Sequence, residues 1–128
     1  MEPVRNSALI WAGAMFVGAA AIHAFMGGPE INAPIQSSAL DPVVRSVAAV
    51  VWHVITALAL VLAGALFWVA RHPNPTVLWI IHGINASFVA IFLWVGVAQL
   101  GSVWPMPQCT IFAAISAVMF WGMRAQPS

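Results

Sequence analysis

The sequence predicts an all-α integral membrane protein, a bundle of four transmembrane helices with both termini in the cytoplasm. Composition, four apolar runs and the breakers between them support this. Of the 128 residues, 62% are hydrophobic and 5% are charged, where an ordinary soluble domain has about 25% charged residues. Glu2, Arg5, Glu30, Asp41, Arg45, Arg71 and Arg124 are too few to solvate a globule of this size. A disulfide scaffold is excluded, because Cys109 is the sole cysteine. A net charge of +1 offers no basic face for nucleic acid, and no glycine-rich phosphate loop follows a strand, so no nucleotide is expected.

A membrane helix needs roughly 20 apolar residues. The runs at about residues 7–27, 45–70, 76–100 and 108–123 meet or approach that length, the fourth being the shortest. They form one domain, residues 1–128. Period-two polarity is absent, which argues against a barrel. Gly27, Gly28 and Pro29 are expected to end the first helix, since proline lacks the amide donor and glycine suits a C-terminal cap. Asp41-Pro42 reads as the start of the second, and Thr76 as a cap for the third after the turn Arg71-His72-Pro73-Asn74-Pro75. Trp104-Pro105-Met106-Pro107 breaks the chain before the fourth. Between Gly28 and Val44 lies the longest polar stretch, a surface loop or a folded-back lid.

Arg5, Arg71 and Arg124 fall on one side of such a bundle and Arg45 on the other, which puts both termini in the cytoplasm by the positive-inside rule. Trp11, Trp68, Trp79 and Trp121 mark the cytoplasmic interface and Trp104 the outer one. Arg5, an apolar run and Ala19-Ala20-Ala21 imitate a signal peptide; the segment is read here as a retained helix. The expected location is a bacterial inner membrane.

Apart from Arg45 at a helix start, the ionisable groups inside the spans are His23, His53 and His82. Such groups are costly in lipid and usually face the bundle interior, a cavity or a partner. His23 and His53 both fall in the outer half, His53 about 12 Å inside Arg45 at ~1.5 Å per residue, so antiparallel neighbours can bring them together. Met26, Glu30, Met106 and Cys109 lie on the same side. Imidazole, thioether and thiolate suit copper, and a carboxylate suits zinc. His23 and His53 as axial ligands, with Arg45 on a propionate, would instead suit heme b. Each histidine also has a plain packing role open to it, as do Asn85, Ser87 and Gln99 as bonds between helices.

Three functions follow. The leading expectation is a non-enzymatic accessory or assembly subunit, packing in the lipid bilayer as a homo-oligomer or within a larger membrane complex. The second is a metal- or heme-binding electron-transfer or metal-handling protein built on His23 and His53. The third is a small membrane enzyme on an amphipathic substrate, with His23, His53 and Glu30 as acid/base groups.

Overall fold

A computed structural model describes residues 6–124. Among these there are helices and no strands. Helix α1 (Ser7–Ala21) continues without a break into a π-helical segment (Ile22–Asn32) and a short α2 (Ala33–Gln36). Helices α3 (Pro42–Val69), α4 (Pro75–Leu100) and α5 (Gln108–Arg124) complete the chain. Three rods, Ser7–Gln36, Pro42–Val69 and Pro75–Leu100, are long and apolar enough to cross a membrane, with mean hydropathy of 1.8, 2.3 and 1.9. The 17 residues of α5 extend only about 26 Å, short of the ~30 Å hydrocarbon core.

The first helix does not end at Gly27-Gly28-Pro29. Proline inside an α-helix collides with the carbonyl four residues back. Here the chain widens to the i→i+5 register instead, an uncommon geometry frequently found at functional sites, and the Ala33 amide still bonds to the Gly28 carbonyl five residues back. The predicted polar loop is accordingly helical as far as Gln36, and the turn to α3 is confined to Ser37–Asp41. Helix α3 begins at Pro42 with Asp41 as its cap, the carboxylate accepting from the Val43 amide at 2.8 Å. At α4 the cap is Asn74, not Thr76: its side chain accepts from Val77 N at 3.1 Å and Pro75 takes the first helical position. Gly101, at φ 65°, ends α4 in the left-handed conformation that glycine adopts without a Cβ penalty.

Helix α1 is central, packing against α3 on one side and α5 on the other, with α4 against α5. Helices α3 and α4, although joined by a tight turn, meet sparingly. Small residues set the close approaches. A Cβ on Gly13 would stand 2.6 Å from the Phe67 ring, and one on Gly122 would stand 2.8 Å from Leu9. The core between them holds Leu9, Phe16, Leu62, Leu66, Ile115 and Met119, all at most 3% exposed. Phe112 of α5 joins it to α4, 5.0 Å from the Phe88 ring centroid and 6.4 Å from that of Phe16. The fully buried Asn85 of α4 donates through Nδ2 to the Phe112 carbonyl at 2.7 Å and to Ser116 Oγ at 2.6 Å. It is thus the expected bond between helices.

Burial is uneven along the bundle. The buried residues of α3 all lie between Ala59 and Val69, and its first half contributes none. The well-packed end is also where Asn6 ties three helices together. Its backbone amide donates to Ala70 O at 3.1 Å, its side-chain amide donates to Gly122 O at 2.8 Å, and its Oδ1 caps α1 by accepting from Leu9 N. Replacing Asn6 with alanine removes a helix cap worth about 1 kcal/mol and an interhelical bond worth ~0.6 kcal/mol. Asn6→Ala should therefore lower the melting temperature by several degrees, read by circular dichroism in mild detergent, without loss of helix content at low temperature.

Candidate functional site

The half of the bundle away from Asn6, called the outer half for its place in the expected topology, has no core of its own, so it is held by specific contacts between the π segment, α2 and α3. Trp52 makes the central one. Its indole stacks on the His23 ring, with centroids 3.8 Å apart and planes 19° apart. The neighbouring Gly27 leaves room for it, since a Cβ there would stand 3.0 Å from the indole. His23 Nε2 lies 3.1 Å from the Trp52 carbonyl. A carbonyl only accepts, so that nitrogen carries a proton and donates. Thr56 Oγ also donates to this carbonyl, at 3.4 Å. Nearer the turn, Arg45 Nη1 donates to the Gln36 carbonyl at 2.9 Å, and Gln36 Nε2 donates back to the Arg45 carbonyl at 3.1 Å and to Asn32 Oδ1 at 3.3 Å.

Between these two clasps runs a groove of about 610 Å³, within the 300–1,000 Å³ range of small-molecule sites. One wall is the face of the π segment and α2 that carries Ala24, Gly28, Pro29, Asn32, Ala33 and Gln36. Steps of four to five residues along this wall follow from the wide register. The other wall is Trp52, His53 and Thr56 of α3.

The predicted site residues thus separate by role. The π segment and α3 bring His23 and the residue next to His53 into contact, but the two imidazoles have different tasks. His23 is half-buried and committed to Trp52, whereas His53 is exposed and lines the groove. The guanidinium of Arg45 is engaged with the Gln36 carbonyl. Met26 is 58% exposed, since the π register turns it away from the face that His23 and Gly27 share. Glu30 is exposed too, Met106 is half-buried in the loop between α4 and α5 and Cys109 is buried at the start of α5. Among the described residues, no three His, Cys, Asp or Glu side chains stand together where they could hold a metal ion. Far from the groove, His82 has its Nδ1 buried without a hydrogen-bond partner and presents its ring to the edge of Trp79.

Sequence reasoning passed over Asn32, Gln36 and Trp52. Their signal was present as Asn32 and Gln36 four apart in a stretch taken for loop, and as a tryptophan between His53 and a run of valines.

The two histidines should respond differently to substitution. His23→Ala loses a stacked ring pair worth about 0.5–1.5 kcal/mol and a bond of ~0.6 kcal/mol, so it should destabilise by about 1–2 kcal/mol, with His23→Phe recovering the stacking share. His53→Ala should leave the melting temperature within a degree or two. Thermal unfolding of the three variants in one detergent checks this; equal losses at both positions would contradict the division of roles. Compared with known protein families, characterised proteins and solved structures, the chain matches none, so the groove and the helix faces around it are what a functional reading rests on.

Proposed function

We propose that this protein crosses a bacterial inner membrane four times, with both termini in the cytoplasm, and serves as a non-enzymatic accessory subunit that associates laterally through α3. The four-span reading counts α5 as a span: it packs against α1 and α4, and a modest local thinning of the bilayer accommodates its length. Support for the orientation comes from Asn6, Ala70 and Gly122 meeting at one end. Arg71 and Arg124 therefore share that end, and Arg45 lies at the other. Arg5 falls outside the described residues. Trp11, Trp68, Trp79, Trp104 and Trp121 are all at least 49% exposed, as interface anchors are.

The observation that carries the accessory reading is the outward face of α3. Val43, Val47, Val50, Val54 and Val61 recur at helical spacing and are 54–69% exposed, opposite the side that meets α1. Branched side chains with few rotamers lose little entropy on packing, and α3 gains little support from α4. Such a stripe favours a second helix over fluid lipid, and the simplest partner is the same face of another copy.

Cysteine cross-linking in native membranes tests the reading. In a Cys109→Ala background, Val50→Cys and Val54→Cys should oxidise to disulfide-linked dimers, while Ile91→Cys, on α4 and 54% exposed, should not. Monomers at every position, or equal linking at all three, would sink it.

A further inference from the structure

We propose that the groove between the π segment and the outer half of α3 is a binding site for an uncharged lipid with a hydroxyl-bearing head, of the acylglycerol kind, entering sideways from the outer leaflet. This rests on the chain being embedded in a membrane and not on the valine face having a partner.

His53 is the first reason. It lines the groove, is exposed, and takes no part in the bonds that clasp the outer half, which use His23, Trp52, Thr56, Asn32, Gln36 and Arg45. Twelve residue steps of helix separate it from the N-cap Asp41, about 18 Å at ~1.5 Å per residue, well inside a ~30 Å core. An imidazole without a partner is unfavourable inside a membrane and usually faces a cavity or a ligand. A ligand group that both donates and accepts removes that cost.

The remaining hydrogen-bonding capacity of the walls defines the head. Gln36 has used its amide hydrogens on Asn32 and Arg45, which leaves its Oε1 as an acceptor. Asn32 has used its Oδ1, which leaves its amide hydrogens as donors. Thr56 has donated its proton to Trp52, which leaves its Oγ lone pairs. Pro29 has no amide hydrogen to give the Ala24 carbonyl five residues back, the bond this register would otherwise make. The walls therefore offer more acceptors than donors. A quinone or simple ester brings only acceptors, whereas a hydroxyl brings a donor and an acceptor together. No carboxylate, guanidinium or ammonium is among the residues lining the groove, and the Arg45 guanidinium at its mouth is tied to the Gln36 carbonyl, so a phosphate or quaternary amine within the groove would lie uncompensated. The small residues Ala24, Gly28 and Ala33 leave an apolar track for an acyl chain.

Gly28 supplies the decisive variant. A Cβ there meets nothing within 4 Å, unlike one at Gly27, so the side chain of Gly28→Leu starts in open space on the groove wall. The protein in nanodiscs of neutral zwitterionic lipid is exposed to a monoacylglycerol carrying a diazirine in its chain, illuminated, and mapped by mass spectrometry. Labelling should concentrate on residues 24–36 and 52–56 and be competed by dioleoylglycerol but not by phosphatidylglycerol. Gly28→Leu should reduce it at least tenfold at unchanged melting temperature, and His53→Phe should weaken competition by dioleoylglycerol about tenfold. Labelling spread evenly over the helices, labelling indifferent to Gly28→Leu, or equal competition by phosphatidylglycerol would each overturn the assignment.

Discussion

The less packed half of this protein, around the π segment, depends on one contact, the seating of Trp52 against His23 and Gly27. The other half has interlocking apolar side chains from four helices, with Leu9, Phe16, Leu66 and Ile115 fully enclosed. At the opposite end no such core forms, because α3 leans there only on the π segment and the short α2. A flat indole on a flat imidazole, with a glycine beneath, supplies both area and orientation where a core is lacking. The His23 bond to the Trp52 carbonyl then sets the height of one rod against the other, and the Gln36–Arg45 clasp holds the mouth.

In lipid an unpaired polar group is costly, and this chain uses most of its few polar residues for bonds between helices. Asn6 closes the well-packed end by bonding three helices at once. Asn85 joins α4 to α5 from a fully buried position, although its Oδ1 remains unpartnered. His82, one turn away, carries a second unpartnered buried atom. His23 belongs with the structural residues. His53 stands apart from all of them, since its imidazole faces outward into a groove and not into a helix contact.

The π segment links the two halves of this account. Pro29 would break an α-helix, but at the i→i+5 register the chain passes through it and keeps going to Gln36. The wider turn moves Met26 outward, keeps His23 and Gly27 together under Trp52, and lines up Ala24, Gly28, Asn32 and Gln36 as a wall. A helix that stopped at Gly27 would have neither Asn32 nor Gln36 opposite α3. The groove is thus a consequence of how one proline is accommodated.

The sequence by itself determined the helical class, the approximate extent of the long apolar rods, and the caps that depend on neighbours in the chain, such as Asp41 before Pro42 and the turn ahead of α4. These are local matters, decided by burial cost and by backbone groups a few residues apart. Asn85 as a bond between helices was also legible, because an amide in an apolar span has few other uses. The α4 cap at Asn74 instead of Thr76 is local too, set by Pro75 at the first helical position, whereas the register through Pro29 and the assignment of His23 to packing and His53 to the groove were decided only by tertiary structure. Two histidines in similar apolar surroundings look alike along the chain. Which one meets a carbonyl depends on the rotation of one helix against another, and that rotation is set by where Trp52 can lie flat.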